Sequence, residues 1–156
     1  MTLKEIRLNK KITQSAASKI LSVSLRSYKD YENNPLKFNT MKYNYMCEKL
    51  CNYNILDEEH GLLTILEIRD KVKDVFDNYS VNFCYLFGSY AKNNAGPKSD
   101  VDLLIDTETT GLDFYGLVEE LRVTLCKKID LLILNQLENN IELLKEILKD
   151  GIKIYG

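Results

Sequence analysis

Residues 85–106 read YLFGSYAKNNAGPKSDVDLLID. An apolar, β-prone run (VNFCYLF, 81–87) stops at Gly88-Ser89. After a polar loop, Asp100 and Asp102 stand one residue apart where a second apolar run begins. Ionised carboxylates beside a core are costly unless something pairs with them. On a strand over 100–106 the period of two places Asp100 and Asp102 on one face. A third apolar run, IDLLIL (129–134), opens on Asp130. If the two strands are neighbours, a third carboxylate joins the pair. Three carboxylates held close cannot all stay ionised without a cation. Hard oxygen donors suit Mg²⁺, which completes its shell with water and substrate phosphates.

Gly88 and Ser89 sit at a strand-to-helix junction, with a helix expected to start near Tyr90. There backbone N–H groups point outward and the helix dipole favours an anion. Glycine lets phosphates approach closely, and serine adds a hydroxyl donor. Two metal ions clamping the attacking and leaving oxygens are the general solution for in-line phosphoryl or nucleotidyl displacement. Each feature alone is ordinary: a turn, a surface pair, the start of a strand. Their order and strand context carry the reading. Lys92 and Lys98, in the intervening loop, are read as solvated side chains.

Around this stretch, helical and strand patterns alternate. LLTILEIRDKVKDVFDNY has helical periodicity, DFYGLVEELRVTLCKK is amphipathic, and NNIELLKEILKD forms a last helix capped by Gly151. The second half is therefore expected to be an α/β or α+β unit with a small mixed sheet. The first half reads as helices only. TLKEIRLNKK (2–11), with Leu3 and Ile6 at helical spacing, reads as a first short helix, and Thr13 caps a second with Ala16, Ala17, Ile20 and Leu21 on one stripe. Ser24 caps the next, which stops before Pro35, and a further helix covers TMKYNYMCEKLCNY. Short helices with a tight turn between the second and third are the helix-turn-helix layout. Between the halves, the polar NILDEEHG (54–61) reads as a linker, and its His60 as a solvated side chain. The expected organisation is residues 1–55, a linker at 56–64, and residues 65–156; the overall class is α+β.

Charge follows the same division. Residues 1–55 carry 10 Lys+Arg against 4 Asp+Glu, giving +6, while residues 56–156 carry 11 against 19, giving −8. Such asymmetry suggests different partners for the two halves. At 45% hydrophobic and 28% charged residues, the composition is that of an ordinary globular protein. No stretch approaches the ~18 uninterrupted apolar residues of a membrane span, and the N-terminus lacks a signal-peptide layout. Cys47, Cys51, Cys84 and Cys126 have no zinc-site spacing and read as reduced thiols of a cytoplasmic protein with no membrane partner.

GSYAKNNAGPKSDVDLLID, with Asp130 downstream, resembles the signature of the DNA polymerase β-type nucleotidyltransferases. The short length and the closing EILKDGIKIYG resemble their minimal (MNT) branch. The resemblance implies that Gly88 and Ser89 hold a nucleoside triphosphate, ATP or another, and that Asp100 and Asp102 hold two Mg²⁺ ions. It implies that Asp130 completes the metal site and helps deprotonate an acceptor hydroxyl. The first half resembles Xre/Cro-type helix-turn-helix domains through Thr13-Gln14, Val23-Ser24 and Tyr31-Glu32-Asn33. Ser22 departs from them, standing where they usually have glycine. This resemblance implies operator-DNA contact through Leu25, Arg26 and Lys29 on the third helix, with Gln14 approaching a phosphate; Tyr28 and Tyr31 pack inward. MNT proteins are commonly antitoxins of HEPN-type RNase toxins, neutralising them by binding or by adenylylation. A homodimer, or a hetero-oligomer with the toxin, is then expected. Two other functions fit the residues: a DNA-binding regulator whose second half only docks a partner, and a nucleotidyltransferase acting on a small molecule such as an aminoglycoside.

Overall fold

Hydroxyl side chains start most of the helices. In the computed structural model, which describes all residues from Met1 to Gly156, Thr2 and Glu5 form a reciprocal capping box on α1 (Leu3–Asn9). Thr13 caps α2 (Gln14–Ile20), Ser24 caps α3 (Leu25–Asn33), and Thr40 caps α4 (Met41–Asn52). Each side-chain oxygen accepts from an amide that the first helical turn leaves without a partner. The chain divides into two compact units, Met1–Ile55 and Leu56–Gly156. In the first, Leu3, Ala17, Tyr28, Met46 and Leu50 are buried almost completely. Between α2 and α3, Ser22 has φ +55°, the left-handed conformation that glycine adopts without steric cost. The tight turn forms, and serine bears the strain.

The second unit is a four-stranded mixed sheet with helices on both faces. Its elements are α5 (Ile65–Phe76), β1 (Val81–Phe87), α6 (Gly88–Ala91), β2 (Val101–Thr107), α7 (Gly111–Leu125), β3 (Ile129–Ile133), α8 (Ile141–Asp150) and β4 (Ile152–Tyr155), with a 3₁₀ turn at Leu134–Leu137. The strand order is β3-β2-β1-β4. β2 and β4 pair antiparallel with β1, and β3 pairs parallel with β2. One face packs Cys84, Leu86, Leu103 and Ile105 against α5 and α7, in a core that includes Ile68, Phe76, Leu117 and Leu121. The other face packs Phe87 and Leu104 against Leu137 and Ile147. Alternation along β2 thus sends Leu103 and Ile105 to one core and Leu104 to the other, with Asp102 on the face of Leu104. No helix is long and apolar enough to cross a membrane.

Three sequence expectations need correcting. Residues 56–64, expected as a linker, belong to the second unit, where Leu63 is buried in the main core. The strand after the polar loop begins at Val101, so Asp100 lies just outside it. The helix expected near Tyr90 starts at Gly88 and is a single turn. Gly151 caps α8 as expected, with φ −69° and ψ 149°, and leads straight into β4, a strand the sequence reading lacked. Glycine is needed there for space, because an added Cβ would lie 2.3 Å from the Ile147 carbonyl oxygen.

Candidate active site

The sheet register assembles the site. Phe87, the last residue of β1, is the cross-strand partner of Asp102, so the Gly88-Ser89 turn leaves the sheet beside that carboxylate. On its other side, Asp102 pairs in register with Asp130 of β3. Val101 N–H donates to the Lys128 carbonyl at 2.9 Å, fixing the ends of β2 and β3 together. Asp100 is exposed one pleat earlier, and Asp130 is exposed as well. The three carboxylates therefore lie at one end of the sheet, next to the turn, as the spacing predicts.

Gly88 is required twice over. Its φ is +67°, and a Cβ built on it would lie 2.0 Å from Asp102 Oδ2. Only glycine lets the turn and the carboxylate approach this closely. No side chain caps α6, so the first amides of that turn have neither an intrahelical partner nor a side-chain cap.

Asp102 is half-buried. Burial, then the negative charges of Asp130, Asp100 and Glu146, push its carboxyl up to about 6. None of Asp100, Asp102 and Asp130 takes part in an ion pair. An acidic cluster of hard oxygens with no internal counter-charge fits a divalent cation. The side chains are not drawn into a closed cage, since no three His, Cys, Asp or Glu groups form a ready ligand set. Lys92, just after α6, pairs with Glu146 of α8 rather than pointing free into solvent. Lys98 stays exposed in the loop.

The chain matches the family described as polymerase beta, nucleotidyltransferase, across residues 70–156, more than half its length. It belongs to the polymerase β nucleotidyltransferase family. Its chemistry is accordingly nucleotidyl transfer, and the second unit carries it. Among relatives of this nucleotidyltransferase, MJ0128 of Methanocaldococcus jannaschii, named a candidate protein adenylyltransferase, is 38% identical over 82 residues. That match covers 49% of this chain and 84% of the relative. The protein adenylyltransferase MntA of Thermococcus cleftensis is 32% identical over 100 residues, 60% of this chain and 99% of the relative. Among solved structures, a tri-AMPylated Shewanella oneidensis HEPN toxin in complex with MNT antitoxin aligns with a TM-score of 0.46 at 21% identity. The alignment covers 60% of this chain and 73% of that one.

In the first unit, Leu25, Arg26 and Lys29 are exposed on α3. Gln14 is the first residue of α2 and is half-buried. Its amide donates to Glu32 Oε1 at 3.2 Å, so the side chain is engaged within the unit. Glu32 is nearly inaccessible and forms a two-pronged pair with Arg7, with Nε and Nη2 each at 2.9 Å. Burial raises the Glu32 carboxyl, but the Arg7 hydrogen bonds lead the opposing effects, and the net result lies below the usual carboxylate range. Sequence reasoning missed this pair, because residues 25 apart carry no local signal. It also missed Lys127, which is fully buried beside the aspartate-bearing strands.

Proposed function

We propose that this chain is a Mg²⁺-dependent protein adenylyltransferase, the antitoxin of a HEPN-type RNase toxin, and that its N-terminal unit binds operator DNA. The observation that carries the enzymatic reading is Asp102, flanked by the Gly88 turn on one side and Asp130 on the other. Gly88 and Ser89 hold the ATP phosphates. Asp100, Asp102 and Asp130 would hold Mg²⁺, two ions being the number the resemblance implies. Bound Mg²⁺ would neutralise the phosphate oxygens and the charge that develops on the leaving group. Asp130 helps take the proton of the acceptor hydroxyl as its oxygen bonds to the α-phosphorus and the bond to pyrophosphate breaks. The relatives named as protein adenylyltransferases support a protein acceptor.

The partner reading rests on the MNT resemblance and on charge. A unit of net −8 attracts a basic partner. The N-terminal unit, at +6, suits DNA, with Arg26 and Lys29 exposed on α3 and Leu25 beside them. Gln14 would reach a phosphate through its backbone N–H, since its side chain is bonded to Glu32. A two-fold operator would call for a homodimer. The second reading is a DNA-binding regulator whose second unit mainly docks its partner, and the net charge of −8 on that unit is the observation that favours it.

One experiment separates the two. Purified protein, Mg²⁺ and ATP labelled at the α-phosphate are incubated with lysate containing a co-expressed small partner, with Asp102→Asn in parallel. A band labelled only by the unaltered protein is the expected result. An unlabelled gel from folded protein, with each NTP in turn, overturns the enzymatic reading. Label on a small molecule without a protein acceptor replaces the antitoxin with a small-molecule transferase.

A further inference from the structure

Lysine is almost never fully buried, yet Lys127 has no exposed surface. Its Nζ donates to three backbone carbonyls: Pro97 at 2.6 Å, Gly61 at 2.8 Å and His60 at 3.1 Å. These three acceptors use all three ammonium protons. They also come from two distant segments. Pro97 lies three residues before Asp100, in the loop that leads from the Gly-Ser turn to the aspartates. Lys127 itself lies three residues before Asp130. His60 and Gly61 close a tight turn in which Asp57 N–H donates to the His60 carbonyl at 3.0 Å, while Asp57 Oδ1 accepts from the amides of Glu59 and His60 at 2.8 and 2.7 Å. No carboxylate bonds the ammonium directly. Removing the ammonium would leave these three carbonyls without their donor.

We propose that Lys127 is a positioning residue for the aspartate site. Its ammonium fixes the loop delivering Asp100 and Asp102 against the start of the strand carrying Asp130, and fastens both to the turn at 57–61. Without it the Pro97 carbonyl loses its anchor, and the loop holds Asp100 and Asp102 in a wider spread of positions. The Gly88-Ser89 turn precedes the loop and keeps its place. The inference rests on the metal role of the aspartates given under Proposed function, and it predicts a split: metal affinity falls while metal-free nucleotide binding is kept. Groups that orient metal ligands typically change metal affinity 10–100-fold when removed.

The test uses the full chain. Lys127→Met is compared with the unaltered protein by hydrogen exchange without metal, by calorimetric titration with Mg²⁺ alone, and by metal-free binding of a fluorescent ATP analogue. The expected result is faster exchange at residues 94–100, about tenfold weaker Mg²⁺ binding, and unchanged analogue binding. A variant that melts earlier but binds Mg²⁺ within twofold of the unaltered protein overturns the proposal, leaving Lys127 a packing residue. If the variant does not fold, the unaltered protein decides. Mg²⁺ should slow exchange at 57–61 as well as at 94–100, and unchanged exchange at 57–61 rejects the coupling. If the unaltered protein binds no Mg²⁺, the metal reading itself fails. Exchange at 94–100 in metal-free Lys127→Met then judges the anchoring separately.

Discussion

Gly88 and Asp102 are matched in shape: the space a Cβ on residue 88 would fill is already taken by Asp102 Oδ2, 2.0 Å away. Gly88→Ala must therefore displace the carboxylate, and it also places an L side chain at φ +67°, at a cost of about 1–2 kcal/mol. Misplacing a reacting group by about 1 Å can lower the rate about 100-fold. A loss of that size is expected in α-labelled nucleotidyl transfer, with a modest fall in melting temperature. Full activity in Gly88→Ala would show that the close approach is incidental.

Asp102→Asn should stabilise the metal-free protein while abolishing transfer. Burial and the neighbouring carboxylates push the carboxyl from its ordinary value of 3.8 up to about 6. The folded state thus binds the proton more tightly than the unfolded state does. The ionised group opposes folding above pH 6, and this penalty disappears as pH falls from about 6 to 3.8. The variant should melt higher than the parent at pH 8 and at the same temperature at pH 3.5. A higher melting temperature that persists at pH 3.5 would point to a packing effect instead.

The N-terminal unit should show the opposite pH dependence. Glu32 is held below its ordinary value of 4.5 while paired with Arg7. It therefore contributes stability above pH 4.5 that is lost as pH falls through its lower folded value. Arg7→Met leaves that carboxylate buried without its main partner, and breaking a buried pair in this way costs about 3–5 kcal/mol. Denaturant unfolding followed by amide signals from residues 1–55 measures this. A change below about 1 kcal/mol would mean that Gln14 or water substitutes for the arginine.

Five non-glycine residues have left-handed backbones, Lys11, Ser22, Asn39, Asn93 and Cys126; of these, Ser22, at φ +55°, lies between α2 and α3, and Cys126, at φ +55°, follows α7. Ser22→Gly and Cys126→Gly each relieve backbone strain, so each should gain up to about 1 kcal/mol in denaturant unfolding, less the entropy that glycine adds to the unfolded chain. The effects should appear separately, Ser22→Gly in residues 1–55 and Cys126→Gly in residues 56–156. Loss of stability in either would show that the side chain makes contacts worth more than the strain.

Much of the site was legible in the sequence because its information is local. The period of two along residues 100–106, the Gly-Ser break after VNFCYLF, and Asp130 opening an apolar run need no knowledge of distant contacts. The capping roles of Thr13 and Ser24 are local for the same reason. β4 was missed because IKIY is only four residues long and its partner, β1, lies nearly seventy residues earlier. The bond of Gln14 to Glu32 was not foreseen, because its position on α2 says nothing of a residue 18 positions later. Residues 56–64 look like a linker by composition, yet Leu63 is buried and two of the segment's carbonyls bind Lys127.

By itself the sequence determined which residues are candidates for the chemistry, where most of the helices begin, and that the two halves differ in charge, since these depend on residue type and short spacing. Tertiary structure alone decided the rest: that Asp102 lies between Gly88 and Asp130, that its carboxyl is driven up by burial and neighbouring charge, and that Lys127 is an internal anchor rather than a surface lysine. Those properties arise from distances between residues far apart in the chain. Sheet pairing and packing set such distances, and no local pattern encodes them.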